Sequence, residues 1–177
     1  MGDREAAFEA LYAATYEPIL GYALRRCASP DDAADVVAET FTVAWRRFGE
    51  IPPGDRARLW LYGVARRVLA NHRRSAERHR LHTTGLRDEI AAVAVTDPAD
   101  GAAIAQAFGR LSAGDREVLA LVAWEGLDRT ALAAVLGCSA GAARVRLHRA
   151  RRRLARALRS AGVDHRPVTR TSANGAH

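Results

Sequence analysis

The chain has 177 residues, with 27 basic and 20 acidic side chains and a formal net charge of +7. This length fits one domain or two small ones and excludes a large barrel or a long doubly wound sheet. Its two cysteines, Cys27 and Cys138, are far apart and form no CxxC pair, which indicates a reducing compartment. An apolar leader and an apolar run of about 18 residues are both missing, so we expect a cytoplasmic protein with no membrane span.

Charge is distributed unevenly along the chain. Residues 1–50 carry 5 arginines against 9 acids, a net charge of −4, whereas residues 151–177 carry 7 arginines against 1 acid, a net charge of +6. Every basic residue is arginine, and residues 140–160 hold eight arginines and no acid. A solvated charged face would mix both signs, so this segment predicts a polyanionic partner. The net negative charge of residues 1–50 predicts a second partner of a different kind.

The first fifty residues are spaced like helices. One amphipathic face comprises Phe8, Leu11, Tyr12 and Thr15. Pro18 predicts a break, followed by a second short helix over residues 19–24. Residues 29–32, Ser-Pro-Asp-Asp, predict a helix start, with a capping hydroxyl, a proline at the first position and acids at the positive end of the dipole. That helix should bury Val37, Phe41, Ala44 and Phe48. Its opposite face presents Asp35, Glu39, Thr42 and Arg46.

Residues 50–55 contain two prolines and a glycine, which predicts a loop. A long helix from Leu59 to about Arg80 should follow, with Leu61, Ala65, Val68 and His72 on one side. A mostly basic stripe lies on another side, at Arg67, Asn71, Arg74 and Arg78. We predict a first domain over residues 1–80 and a flexible linker over 81–100.

Helical spacing returns near Asp100, and Ser112 is expected to cap a helix that ends at Gly126. Two helices then follow around a tight turn, Asp128–Leu136 and Ala140 to about Leu158, which predicts a helix-turn-helix. We place the second domain over residues 101–160 and a disordered tail over 161–177. The fold class is therefore all-α, with two small helical domains.

The second helix of this motif carries the residue types that bind DNA. Its N-terminal residues are expected to contact base edges in a major groove, and its later arginines to bind phosphate. The candidate residues are Ser139, Ala140, Gly141, Arg144, Arg146, His148, Arg149 and Arg153. A buried seam of Ala143, Leu147, Ala150, Leu154 and Leu158 should fix the helix to its domain. An ordinary helical hairpin remains an alternative. A nucleophilic role for Cys138 or Ser139 lacks a paired His or Asp.

Three motifs in order resemble a known family. Residues 32–41 (DAADVVAETF) with 44–47 (AWRR) resemble region 2.2 of bacterial sigma factors, and residues 60–74 (WLYGVARRVLANHRR) resemble regions 2.3 and 2.4. Residues 111–119, the helix-turn-helix and residues 146–151 (RLHRAR) resemble region 4. Two such domains with no region 3 between them are similar to the extracytoplasmic-function (ECF) sigma factors. The resemblance covers about residues 6–160.

The resemblance implies a function and its partners. Such a factor binds core RNA polymerase and directs initiation at promoters, with no cofactor, metal or catalytic residue of its own. Region 2.2 docks on the clamp coiled coil of the β′ subunit, which here implies Asp35, Glu39, Thr42 and Arg46. The −10 element would be bound by the segment 50–58 and by Arg66, Arg67, Asn71, Arg73, Arg74 and Arg78. Region 4 would bind −35 DNA through residues 140–149 and touch the β flap. An anti-sigma factor is a further partner that the family implies.

Some positions depart from the family pattern. Arg67 stands where region 2.3 usually has asparagine, which puts the pocket for a flipped base in doubt. Ala131 replaces an acidic residue and leaves Asp128 without a capping-box partner. Ala143 replaces a larger β-branched residue, so helix packing there should be weaker. Trp45, Trp60 and Tyr62 could stack on bases, but their helical spacing favours the core.

Other functions remain open from the sequence. A stand-alone helix-turn-helix regulator would explain the second domain but would leave the region 2 motifs without a use. A metal-dependent enzyme could be suggested by Asp31, Asp32, Asp35 and Glu39, but no ExxH or HxxxH pattern accompanies them. A decoy that sequesters an anti-sigma factor would usually carry a receiver domain, and the chain has no room for one.

Overall fold

The computed structural model describes residues 2–80 and 98–161 of the chain, with side chains described for 2–74 and 103–161. These residues form α1 (Gly2–Leu24), α2 (Pro30–Arg46), α3 (Asp55–Arg80), α4 (Pro98–Gly109), α5 (Ala113–Ala123), α6 (Arg129–Leu136) and α7 (Ala140–Ser160). A short 3-10 turn, Phe48–Glu50, lies between α2 and α3. The described residues contain helices and no strand, as predicted.

The predicted caps are confirmed. The Ser29 hydroxyl accepts the Asp32 N–H at 3.1 Å, and Pro30 occupies the first turn of α2. Ser112 caps α5 in the same way, accepting the Asp115 N–H at 3.1 Å. Each hydroxyl satisfies a backbone donor that the helix leaves without a partner, which fixes where the helix begins.

The predicted break at Pro18 is wrong, because α1 runs through it without interruption. A proline inside a helix costs about 3 kcal/mol, since one backbone hydrogen bond is lost and the ring crowds the preceding turn. Both halves of α1 pack on the same core: Phe8 and Leu11 lie against it before Pro18, and Ile19 and Tyr22 are buried after it. This packing offsets the cost and keeps the helix continuous.

Three other helix ends differ from prediction. The helix α5 ends at Ala123, three residues before the predicted Gly126. The helix α2 ends at Arg46, so Phe48 lies in the 3-10 turn, although its ring still contacts Phe8 with centroids 6.0 Å apart. The helix α3 begins at Asp55, four residues before the predicted Leu59, because Gly54 makes the turn with a φ of 64° and the helix starts directly after it.

The helices form two groups with one continuous core. In the first, α1, α2 and α3 pack together, and in the second α4, α5 and α6 pack on α7. The groups join where α3 lies against α6, and buried apolar residues run from one group into the other. Of the predicted linker, residues 81–97 lie outside the described residues and residues 98–100 are helical. The predicted tail beyond Ala161 also lies outside them.

Candidate nucleic-acid interface

The helix-turn-helix forms as the sequence predicts. Asp128 caps α6 by accepting the Ala131 N–H at 2.7 Å. Gly137 ends the helix with a φ of 62°, in the left-handed region where glycine is favoured. The Ser139 hydroxyl then accepts the Ala142 N–H at 3.2 Å and begins α7. The two helices meet at 99°, within the range typical of DNA-binding helix-turn-helix motifs.

The side chains predicted to bind −35 DNA are all exposed, on α7 and at its N-cap. The exposed residues are Ser139, Ala140, Gly141, Arg144, Arg146, His148, Arg149 and Arg153. The opposite face is buried through Ala143, Leu147, Ala150 and Leu158. Burying this apolar stripe against α5 and α6 is what turns the arginines outward. Ala143, where a larger residue was expected, is fully buried.

Arg153 has a partner that sequence reasoning missed. Its Nη1 lies 2.7 and 3.0 Å from the two carboxylate oxygens of Asp115, in the first turn of α5. Burial opposes ionisation of Asp115, but hydrogen bonds from Ser112 and Arg153 outweigh it and hold the pKa of the carboxyl below its ordinary value. The Arg153 side chain is still 56% exposed, so part of the guanidinium faces solvent.

The basic residues of α3 differ in exposure and in their contacts. Arg67, Asn71, Arg73 and Arg74 are exposed, and Arg66 is half-buried. Arg73 donates to the Arg26 carbonyl at 3.2 Å, and Arg74 donates to Asn71 Oδ1 at 2.5 Å. Arg66 and Arg67 line a cleft of about 380 Å³ together with Ala134–Gly137. Arg78 belongs to α3, but its side chain lies outside those described.

The loop predicted over residues 50–55 is only partly present, and the segment 50–58 expected at the −10 element includes the start of α3. Glu50 ends the 3-10 turn and forms an exposed ion pair with Arg47, and residues 55–58 are already helical. Among the aromatic side chains, Tyr62 is buried and Trp60 is half-buried, as predicted for core residues. Trp45 differs: it is 38% exposed and covered by the Arg4 guanidinium, 4.6 Å from the ring centroid.

A second candidate surface lies on α2. Asp35, Glu39, Thr42 and Arg46 are all exposed along one face, as the spacing predicted. Glu39 contacts His72 on α3, with 3.0 Å between Oε2 and Nε2, and Thr42 donates to the Ala38 carbonyl within the helix. Glu39 is therefore the residue of this face that contacts α3.

An apolar groove crosses the outside of the second helix group. It is lined by Phe108, Leu119, Ala120, Val122, Ala123, Trp124, Leu147, Arg151 and Leu154, and its volume is about 240 Å³. Phe108 and Trp124 contact each other at its edge, with centroids 6.1 Å apart. Its walls are almost entirely hydrocarbon, which suits an apolar side chain of another protein.

Sequence reasoning also missed the polar contacts between the two helix groups. Arg25 and Arg26, directly after α1, form ion pairs with Glu117 and Glu125. The sequence contains two pairs of adjacent arginines within the acidic first fifty residues, Arg25-Arg26 and Arg46-Arg47, and does not distinguish the first from the second. Periodicity could not show the partners of Arg25 and Arg26, which lie about a hundred positions away.

No group of three or more His, Cys, Asp or Glu side chains that could hold a metal ion occurs within 2–74 and 103–161. In the described parts of the chain no single helix is long and apolar enough to cross a membrane, and α6 and α7 reach that length only as a pair bent by 99°.

Two family models match two separate parts of the chain. The model of sigma-70 region 2 matches residues 11–79, and that of sigma-70 region 4 matches residues 101–154. The ECF RNA polymerase sigma factor SigL of Mycobacterium tuberculosis is 34% identical over 163 residues, covering 89% of this chain and 92% of SigL.

Solved structures share the fold. The sigma factor RpoE of Bartonella quintana, in complex with the anti-sigma factor NepR, has a TM-score of 0.66 at 24% identity, covering 86% of this chain and 97% of that chain. CnrH, in complex with the cytosolic domain of CnrY, has a TM-score of 0.62 at 28% identity, covering 88% of this chain and 90% of that one.

Proposed function

The chain belongs to the ECF sigma factors of the sigma-70 family, and from this premise we propose how its surfaces divide the work of promoter-specific transcription initiation. A sigma factor binds core RNA polymerase and promoter DNA. The observation that carries the assignment of surfaces is their separation: an exposed acidic face on α2 and an exposed arginine-rich helix α7.

The α2 face is proposed to dock on the clamp coiled coil of the β′ subunit. Asp35, Glu39 and Thr42 would face the polymerase, with Arg46 at the end of the helix. An acidic surface suits a basic partner, and electrostatic complementarity raises the association rate and fixes the register. The contact between Glu39 and His72 supports this proposal because it positions one carboxylate before binding.

The α3 stripe is proposed to bind the −10 element. Arg67, Asn71, Arg73 and Arg74 would contact the strand and the adjacent duplex, with Arg78 further along the helix. Extrusion of a base costs a few kcal/mol, and stacking and edge contacts must compensate for it. Among the exposed aromatic side chains, Trp45 lies nearest in sequence to the α3 stripe, whereas the Tyr62 ring is buried in the core.

The helix α7 is proposed to bind the −35 element. Ala140, Gly141 and Arg144 lie at its N-terminal end, where a recognition helix contacts base edges. The later arginines would bind phosphate, which makes binding fall steeply with salt. The apolar groove beside Trp124 is proposed to receive the β flap, since it remains open on the outside of the second helix group.

Regulation by an anti-sigma factor is proposed because RpoE was solved with the anti-sigma factor NepR, and CnrH was solved with the cytosolic domain of a second protein, CnrY. The factor would act in the cytoplasm together with the polymerase and would have no catalytic activity of its own. A stand-alone helix-turn-helix regulator is not favoured, because residues 11–79 match sigma-70 region 2.

Transcription in vitro tests the proposal. The purified chain is incubated with core polymerase and genomic fragments, and transcript starts are mapped. We expect a small set of starts that share upstream −10 and −35 sequences and are absent with core alone. If the chain fails to bind core polymerase yet binds DNA duplexes specifically, the stand-alone regulator is correct and the sigma assignment is wrong.

A further inference from the structure

One apolar side chain is exposed among the arginines of α7. Val145 is 42% exposed, and it is one of five large hydrophobic side chains exposed in the described part of the chain and the only one of them on α7. Its neighbours in sequence are Arg144 and Arg146, which are exposed as well. Sequence reasoning missed Val145, because a valine in an amphipathic helix is ordinarily a core residue.

The geometry of α7 turns Val145 away from the core. The buried stripe of the helix includes Ala143, Leu147 and Ala150. At about 100° per residue, Val145 lies roughly 200° around the helix from Ala143 and about 160° from Leu147. Val145 is therefore opposite to the buried stripe, on the side that a recognition helix turns towards the major groove.

The neighbours of Val145 on this side are a glycine and two nitrogen-bearing side chains. Gly141, four residues earlier, has no side chain, and only the Ser139 hydroxyl oxygen lies within 4 Å of its Cβ position, at 3.9 Å. His148 and Arg149, three and four residues later, are exposed. Residues at these spacings are neighbours on a helix surface. Val145 and Gly141 thus form a short apolar stretch within the surface proposed to bind the −35 element.

Folding stability does not account for a valine at this position. A β-branched side chain loses χ1 freedom in a helix, so valine is a weaker helix former than alanine. An exposed valine gains little burial in return. At other exposed positions α7 does carry alanine, as at Ala140 and Ala155. The role of Val145 is therefore to be sought in binding.

The chemistry of the major groove identifies the contact that a valine can make. Val145 has no hydrogen-bonding group, so it pairs neither with base donors and acceptors nor with phosphate. The apolar group that base pairs display in the major groove is the C5-methyl group of thymine. In a helix about 90% of valine side chains occupy one rotamer, so a contact through the Val145 methyl groups costs little conformational entropy.

We propose that Val145 is a specificity-determining residue, whose methyl groups contact the C5-methyl group of one thymine in the −35 element. The inference rests on the proposed function of α7 and adds an apolar base contact to the polar contacts expected of the arginines. Gly141 leaves room for the DNA to approach closely, and Arg149 would bind phosphate one turn later.

Replacement of thymine by uracil tests the contact, because it removes the methyl group and leaves every hydrogen-bonding group of the base in place. Holoenzyme binding is measured on promoter fragments whose −35 sequence comes from the mapped transcript starts, with the thymines of either strand replaced one at a time. We expect one replacement to lower the affinity of the wild type about fourfold, the ratio that corresponds to burial of one methyl group. A uracil placed between the −35 and −10 elements is the DNA control and should have no effect.

Val145→Ala tests whether this residue makes the contact. The variant should bind the thymine fragment about fourfold more weakly than the wild type does, and it should bind the thymine and uracil fragments equally. Because alanine is the better helix former at an exposed position, the variant is expected to fold, which circular dichroism verifies. Leu24→Ala removes another exposed apolar side chain, 46% exposed at the end of α1. This matched control should retain the full difference between thymine and uracil.

The contact and the function of α7 can fail separately. If no thymine of the −35 sequence responds to uracil, or if Val145→Ala retains the full response, the proposed contact is wrong. In both cases the function of α7 stands, provided that the wild-type holoenzyme prefers the mapped −35 sequence to a scrambled one. If the wild type has no such preference, α7 does not read the −35 element, and the proposed contact falls with the proposed function.

Discussion

Arg26 and Glu117, 91 positions apart in the chain, are joined by a hydrogen bond of 2.9 Å between Nε and Oε2. Burial disfavours the charged guanidinium, but Glu117, Tyr22 and Glu125 outweigh it and raise the pKa of Arg26 above its ordinary value. Burial and the neighbouring carboxylate of Glu117 also raise the pKa of the Tyr22 hydroxyl, so it remains a donor. The two predicted domains thus share one enclosed contact, and a variant of either should be measured in the full chain.

Asp115→Asn is expected to destabilise the second helix group by about 1–2 kcal/mol, because a charged acceptor of the Ser112 and Arg153 hydrogen bonds is lost. The pKa of Asp115 is lowered in the folded chain, so its contribution to stability is present above the unfolded pKa of about 3.9 and is lost as the pH falls through the lower folded pKa.

Denaturant unfolding between about pH 3 and 7 checks this dependence. The difference between wild type and variant should be constant near neutral pH and shrink below about pH 4. A constant difference down to the lowest pH would contradict the assigned ionisation.

Two glycines near the turn should respond to alanine in opposite directions. Gly137 has a φ of 62°, so Gly137→Ala is expected to cost about 1 kcal/mol. Gly141 lies in the first turn of α7 with only the Ser139 hydroxyl oxygen near its Cβ position, at 3.9 Å, so Gly141→Ala should stabilise the helix by up to about 1 kcal/mol. The melting temperature of each variant is compared with that of the wild type. Shifts of the same sign would show that the turn does not require a residue in the left-handed conformation.

Arg144→Ala should weaken binding to a cognate −35 site by about 1–3 kcal/mol, since Arg144 lies at the proposed base-contacting end of α7. The difference in affinity between the cognate and a scrambled site should therefore shrink. Arg153→Ala should weaken binding to both DNA sites alike. It should also reduce the slope of the logarithm of the affinity against the logarithm of the salt concentration by about 1. Holoenzyme binding to both fragments is titrated at several salt concentrations.

Asp115→Asn supplies the control for Arg153, because it breaks the same ion pair but retains the cation. If the two changes weaken DNA binding equally, Arg153 acts only through folding. Equal effects of the Arg144 and Arg153 substitutions on both DNA sites would refute the proposed division between base and phosphate contacts.

The double reversal D35K/E39K is expected to weaken binding to core polymerase at least tenfold, because two carboxylates of the proposed docking face become cations. The control, E5K/E9K, makes the same change in charge on the exposed start of α1 and should have a much smaller effect. Biosensor measurements with immobilised core compare them. Similar losses for both variants would indicate that only the overall charge matters.

Arg67→Ala is expected to reduce open-complex formation at the −10 element about tenfold, since one contact of a cation to the strand is worth roughly 1–2 kcal/mol. Arg110→Ala, which removes an exposed arginine after α4, is the matched control. Permanganate footprinting of the melted strand reports the effect. Undiminished reactivity with Arg67→Ala would remove this side chain from the proposed −10 surface.

The sequence by itself determined most of the helix starts and the turn between α6 and α7. Ser29, Ser112, Asp128 and Ser139 marked helix starts, and Gly137 marked the turn, because capping depends on neighbours three residues away. The segregation of arginine onto α7 and of acids onto α2 was equally visible, since a helix face follows from spacing alone. Which exposed side chains contact polymerase or DNA remains a prediction.

Only the tertiary structure decided what depends on distant parts of the chain. The helix α1 continues through Pro18 because both of its halves pack on the same core, and that packing outweighs a local penalty. The partner of Arg153 lies 38 positions away, and those of Arg25 and Arg26 lie 91 to 100 positions away. Local periodicity carries no information on such contacts, because burial and charge pairing across helices are fixed only when the helices pack together.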